Sequence, residues 1–441
     1  MTELWTNWAG DQRCAPSTVE RPRSEQQLIG AVLRAVARGE AVRAVGSGHS
    51  FTDCACTDGV LIDMSGMQRV LSVDQASGRA TVEGGIKLDA LGSQLARHGL
   101  ALENQGDIDR QSIAGAIATA THGTGARLAN LSAQIVGLRL VTASGDVMEL
   151  SGESDHDAFL AARVSLGALG VVSAVTIQCV PLYTLRRRDV PAPLSDTLAG
   201  VEEQAEDNDH FEFFVFPYTQ IALTRRMRRG AELPTPPPGW KRYLQEELIE
   251  NWALGLTCRL GRGLPRAVPR LNRLLAGTMS VSEVSDRAYK VYATVRRVRF
   301  TEMEYAIPRA RASAAVERVL ALVERRRLPI LFPLEVRFSA PDDALLSPAH
   351  ARETCYVAVH QFQGMEYEAF FRGVEEIMDG YGGRPHWGKR HYQSAATLRE
   401  RYPQWDRFQA IRDRLDPGGT FANDYTRRVL GPVSPDAAVD R

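Results

Sequence analysis

The run Val45-Gly46-Ser47-Gly48-His49-Ser50-Phe51 follows AVRAV, a short apolar stretch that reads as a buried strand. Its two glycines let the backbone turn tightly and approach a ligand without Cβ interference. Successive N–H groups from Gly46 to Ser50 suit a diphosphate as an anion-binding nest. A dinucleotide fingerprint needs a third glycine and an immediate helix. Here Phe51-Thr52-Asp53-Cys54 follows, which starts no helix. That weighs against a nicotinamide enzyme of the Rossmann type. By itself, Gly-His-Ser also fits a structural loop histidine.

A second stretch runs from Ser112-Ile113-Ala114-Gly115-Ala116 through Thr119-Ala120-Thr121-His122-Gly123-Thr124-Gly125. It is long, small and nearly uncharged, so its backbone can lie along an extended cofactor. A packed small-residue helix explains the alanines but not the Thr-His-Gly-Thr-Gly end.

With 441 residues, the chain has room for two domains. Ser24-Glu25-Gln26-Gln27 predicts a capping box that opens a helix over 28–39. Strands are expected over 59–64, 69–74 and 79–85, a helix over 88–99, and two strands about Ser144-Gly145-Asp146. GALGVVSAVTIQCVPL closes this α+β half. Beyond it, HFEFFVFPYTQIALTRRM is strand-like and PTPPPGW at 234–240 reads as a rigid loop. Strand patterns at 286–305, 328–339 and 354–362, with helices at 309–327 and 366–380, predict an antiparallel sheet with helices on it. The expected division is 1–184, 185–425 with its end returning to the first unit, and a tail at 426–441.

Lys plus Arg and Asp plus Glu are both 53. A balanced chain has no long-range field to draw it onto nucleic acid. No stretch has the apolar length of a transmembrane helix and no signal peptide is evident, while six scattered cysteines suggest free thiols. The expected compartment is the cytoplasm.

VGSGHSF, ENQGD, SIAGAIATATHGTG and GALGVVSAVTI, in this order, resemble the FAD-binding domain of vanillyl-alcohol-oxidase-type flavoproteins, and within them the aldonolactone and alditol oxidoreductases. The resemblance implies a two-domain FAD-binding fold of the PCMH type with an antiparallel-sheet cap domain. It implies FAD, bonded through His49 to the 8α-methyl of the ring. It also implies cofactor contacts from Val45, Gly46, Ser47, Gly48, Ser50, Ser112, Gly115, Thr119, Thr121 and His122, with Val171 or Val172 toward the adenine end. Gly106 and Asp107 are expected beside the flavin and substrate.

On the substrate side, LPILFPLEVRF alternates, so Glu335 and Arg337 share one face of a strand. Alone they read as an ion pair. The resemblance implies that Glu335 orients the hydroxyl to be oxidised while Arg337 holds an oxygen and stabilises reduced flavin. The family's His-Trp-Gly-Lys stretch places Lys389 near flavin N1. His360 is expected as a base or hydroxyl ligand, with a structural strand histidine the other reading. Zinc at His386 and His391 is disfavoured, because the sequence shows neither HExxH nor a third clustered ligand, so no metal is expected.

The activity implied is hydride transfer from a sugar lactone, of the L-gulono-1,4-lactone kind giving an ascorbate-type product, to flavin N5. The alternative is an alditol oxidase producing hydrogen peroxide. Asp107 and His360 stand where alditol oxidases carry serine and threonine, which favours the lactone. Gly106 leans toward oxygen as the electron acceptor; a cytochrome or quinone-type acceptor is the other expectation. A non-catalytic flavin carrier would need no convergence of Glu335, Arg337 and Lys389.

Overall fold

Ser24 starts the first long helix as the sequence suggests, its hydroxyl accepting from the Gln27 N–H at 3.3 Å. The reciprocal half of the box differs: the Gln27 side chain accepts from the N–H of Arg23, at 2.9 Å. The computed structural model describes residues 3–230, 234–236, 254–294 and 297–433, so most of the proline loop lies outside the described residues.

The first unit opens with a small hairpin, β1 (Trp5–Thr6) and β2 (Arg13–Cys14). A parallel sheet follows, ordered β3 (Thr18–Glu20), β5 (Val60–Asp63), β4 (Val42–Val45), with α1 (Glu25–Ala37) as the crossover. Next come β6 (Val70–Asp74), β7 (Arg79–Glu83), α2 (Leu88–Arg97), the short β8 (Leu100–Ala101) and α3 (Ile113–Ala118). They are completed by β9 (Ile135–Val141), β10 (Val147–Ser151), α4 (His156–Ala162), β11 (Val171–Gln178) and β12 (Val180–Pro181). Strands β10-β9-β11-β7-β6 form one antiparallel sheet.

The second unit is built on eight antiparallel strands ordered β16-β13-β15-β14-β18-β19-β17-β20. Chain order gives β13 (Thr184–Pro193), α5 (Leu194–Ala199), α6 (Val201–Asp207), β14 (His210–Val215) and β15 (Ile221–Gly230). After the undescribed stretch come α7 (Leu254–Gly263), α8 (Val268–Gly277), β16 (Ser282–Arg287), α9 (Ala288–Tyr292) and β17 (Phe300–Pro308). Then follow α10 (Ala312–Arg326), β18 (Leu334–Ser339), β19 (Thr354–Phe362), α11 (Glu368–Asp379) and β20 (Arg384–Pro385). The chain ends through α12 (Ala395–Arg399), α13 (Trp405–Leu415) and α14 (Asp424–Leu430).

Two strand expectations are corrected. Residues 286–305 are not one strand: Ala288, Val291 and Tyr292 are buried at helical spacing and form α9 between β16 and β17. In 328–339 only β18 pairs, because Pro329 and Pro333 cannot donate to a ladder. The break expected at 426 falls inside α14, whose Tyr425, Val429 and Leu430 are buried in the same core as Leu88, Ile117 and Leu140.

Alternation explains why the large sheet has two unlike faces. Phe213, Met303, Tyr305, Val336, Phe338 and Val357 point to one side and pack under α10 and α11. Burying each such side chain stabilises by about 1.5–3 kcal/mol. The residues between them are charged: Glu212, Glu302, Glu304, Glu335, Arg337 and His360, all buried. This charged face meets the first unit.

Candidate active site

Two connected cavities share His49, Ser50, Gln111 and Thr119; the first lies within the first unit and the second is lined from both units. The first has about 960 Å³ of empty space, counting its open mouth, and is lined by Val45 to Ser50, Ser112, Gly115, Thr119, Val171 and Val172 among others. Gly46 is needed there by contact: a Cβ would lie 1.9 Å from the Ser112 hydroxyl oxygen. Gly48 turns with φ +64°, a region that favours glycine. Two buried polar atoms of this groove, Ser47 Oγ and Gln111 Oε1, have no hydrogen-bond partner among the described residues. A long groove with unsatisfied polar atoms and a Cβ-free floor suits an extended, polar cofactor.

His49 sits at the junction, lining both cavities and stacked on Trp8 with ring centroids 5.6 Å apart. Burial, aided by Lys87 and Arg110, pushes its pKa down to about 4, so the ring is neutral near pH 7. Trp8 is held over the loop by its N–H donating to Gly48 O at 2.8 Å.

The second cavity, about 630 Å³, is lined by Gly106, Asp107, Thr121, His122, Glu335, Arg337, His360 and Lys389, together with His49, Ser50 and Thr119. Every residue that the sequence placed in a site therefore lines one cavity or both. Sequence reasoning missed Glu302, Glu304, Glu212, Phe300, Gln111 and Trp8. The alternation that paired Glu335 with Arg337 was equally present in FTEMEYAIP, where it puts Glu302 and Glu304 on one face.

Those two carboxylates organise the pocket. Lys389 Nζ lies 2.6 Å from Glu302 Oε1 and 3.0 Å from Glu304 Oε2. Burial opposes the lysine charge, but the two glutamates outweigh it and hold the ammonium above the ordinary lysine range. Burial would likewise raise Glu302, yet Lys389 and His360 lower it to about 2; Glu304 is held well below its usual value by Lys389 and His122.

Arg337 is enclosed by carboxylates. Its Nη2 contacts Glu335 and lies 3.3 Å from Asp107, and its Nε donates to Glu212 at 2.9 Å. The row continues along the register: Arg225 bridges Glu212 at 3.1 Å and Asp189 at 2.9 Å, each pair directly opposite on neighbouring strands. Alternating opposite charges along this row offset the cost of burying it.

His360 faces acceptors on both sides, Pro333 O at 3.3 Å and the Glu302 carboxylate at 3.1 Å. Nδ1 is the nitrogen on the Pro333 side and Nε2 the one on the Glu302 side. His122 is placed similarly, between Gly123 O at 2.8 Å and Glu304 at 3.0 Å, and stacks on Tyr356.

His386 has more neighbours than its sequence spacing suggested. His122, Glu304 and His386 offer ligand atoms within 4.8 Å of one another, as do Glu302, Glu335 and His360. Lys389 pairs with a carboxylate in each group, and a cation there disfavours a second. His386 itself is neutral, its pKa lowered to about 3 by burial and Lys389, with Nδ1 accepting from Gly388 N–H. His391 lies apart, 3.0 Å from the Tyr425 hydroxyl.

An open groove running into a charged pocket of buried residues fits a two-domain FAD-dependent oxidoreductase. The FAD binding domain pattern matches residues 16–151, and the D-arabinono-1,4-lactone oxidase pattern matches residues 175–429. L-gulono-1,4-lactone dehydrogenase of Mycobacterium tuberculosis is 65% identical, covering 98% of this chain and 100% of that protein. L-gulonolactone oxidase of Mus musculus is 34% identical over 96% and 97%, and alditol oxidase of a Streptomyces species 32% over 98% and 100%. A solved solvent-stable cholesterol oxidase covers 98% of each chain with a TM-score of 0.84 at 18% identity, which shows the fold. The chain belongs to the D-arabinono-1,4-lactone oxidase family.

Proposed function

We propose that the protein oxidises a sugar lactone of the L-gulono-1,4-lactone kind, with FAD in the groove and the lactone in the second cavity. The observation that carries this reading is the convergence of Arg337, Glu335 and Lys389 on one cavity that opens at His49 into the groove. Residues 45–50, Ser112, Gly115, Thr119, Val171 and Val172 would hold FAD, and Ser47 Oγ and Gln111 Oε1 would find partners on it. When bound, FAD supplies the acceptor for the hydride that leaves the substrate carbon.

The chain's own groups do the rest. Arg337, held by Glu335, Asp107 and Glu212, donates to a substrate oxygen. Glu335 orients the reacting hydroxyl. Its proton enters the cluster of Glu335, His360 and Glu302, whose ligand atoms lie within 4.8 Å of one another. Lys389 keeps a positive charge at the pocket floor as negative charge develops. Asp107 beside Arg337 and His360 beside Glu302 depart from the serine and threonine of the alditol branch, which favours the lactone.

Gly106 lines the pocket without a Cβ, which favours oxygen among the electron acceptors. No helix among the described residues is long and apolar enough to cross a membrane. Six free cysteines support a reducing compartment, the cytoplasm. Anaerobic mixing tests the reading: L-gulono-1,4-lactone should bleach the flavin absorbance faster than xylitol or sorbitol. Colour unchanged by the lactone overturns it.

A further inference from the structure

Nine large apolar side chains are well exposed among the described residues, and five of them fall between 256 and 281. Leu256, Leu260 and Leu264 recur every fourth residue along α7 and its end, from 45% to 64% exposed; Leu274 on α8 and Val281 after it are 66% and 58% exposed. The same stretch, 254–281, holds five arginines and no Asp or Glu. Arg259, Arg266 and Arg270 are exposed and have no carboxylate partner among the described residues.

The inner face of this hairpin is already satisfied. Cys258 and Val268 are fully buried against Phe51, Phe300 and Phe332. Asn272 donates to Pro217 O at 3.1 Å and Ile330 O at 2.8 Å. Gly261 comes so close that a Cβ would lie 2.6 Å from Leu331. The outer leucines take no part in that packing among the described residues, and a solvated helix face normally mixes both charge signs.

We propose that the outer face of α7 and α8 is a peripheral anchor that seats the protein on an anionic lipid surface. Leucines entering the headgroup boundary with arginines on the phosphates is the chemistry of interfacial helices. An acidic protein would satisfy the arginines but leave five apolar side chains without a stated use. Phe51 and Phe300 pack against this hairpin and also line the second cavity, so the seat lies behind the wall of the reaction pocket.

The test is flotation of the full-length holoprotein with vesicles of phosphatidylglycerol and phosphatidylcholine, beside vesicles of phosphatidylcholine alone. Wild type should float with the anionic vesicles only and be released by salt. Arg259→Gln/Arg266→Gln/Arg270→Gln should weaken partitioning by roughly a hundredfold, and Leu256→Ser/Leu260→Ser/Leu264→Ser by at least about tenfold. Both triple variants should keep wild-type flavin content and dye-linked turnover, which shows that they fold. No flotation with anionic vesicles overturns the proposal. So does flotation that either triple variant leaves unchanged, since another face or charge adsorption alone would then account for it.

Discussion

His360 Nε2 lies 3.1 Å from Glu302 Oε1, and the two residues stand directly opposite each other on β19 and β17. Glu302 also accepts from Lys389, so this one carboxylate is shared by two pocket groups. Its pKa falls from 4.5 to about 2 on folding, against the effect of burial. A depressed carboxylate stabilises the fold above its unfolded value and loses that contribution as pH falls through the folded one. Glu302→Gln should therefore flatten the acid limb of the stability curve between about pH 4.5 and 2. At pH 7 it should cost about 3–5 kcal/mol, because His360 and Lys389 lose a buried partner. Urea unfolding at pH 7, 4 and 3 reads both effects. An unchanged acid limb would refute the pairing.

Arg337 tests the opposite sign of the same arrangement. Arg337→Ala leaves Asp107, Glu212 and Glu335 facing one another, so folding should weaken by about 3–5 kcal/mol. Flavin reduction should slow by roughly a hundred- to a thousandfold. Arg337→Lys keeps the charge but loses the fork that reaches several carboxylates, so it should recover stability more than rate. Stopped-flow reduction and thermal unfolding on both variants separate the two effects. A lysine variant that reduces flavin at the wild-type rate would remove Arg337 as a substrate ligand.

His49→Ala should abolish covalent attachment. The neutral, half-buried ring at the junction of the cavities keeps a lone pair for that bond. Acid-precipitated wild type should stay yellow and the variant's precipitate should be colourless, while native variant still binds FAD through the groove. A colourless wild-type precipitate would reject the covalent bond and leave FAD binding standing.

What the sequence revealed was local. Gly46 and Gly48 mark a turn within a few residues, and Glu335 and Arg337 share a face by alternation on one strand. What it hid was made by the order of strands in the sheet. Glu302 and Glu304 meet Lys389 from more than 80 residues away and His122 from across the two units, so nothing near them in the chain distinguishes them from solvated strand carboxylates. The same distance hid the both-sided acceptor environment of His360, since Pro333 and Glu302 come from different segments.

The electron acceptor turns on Gly106. A Cβ there would lie 3.1 Å from His122 O and 3.4 Å from Thr121 Cγ2, tight contacts that a shift of a few tenths of an ångström relieves. Gly106→Ala should therefore fold, with its methyl narrowing the pocket wall at the 121–122 segment. The expected outcome is slower reoxidation by oxygen, with substrate reduction and artificial-dye turnover close to wild type. The neighbouring Asp107 controls for a displaced loop: its carboxylate lies 3.3 Å from Arg337, so a shift of the 106–107 backbone would also slow reduction. Stopped-flow measurement of each half-reaction separates the two. Slower reoxidation alone makes Gly106 the oxygen gate; slowing of both reports a moved loop, and equal reoxidation rates in the two proteins remove Gly106 from that role.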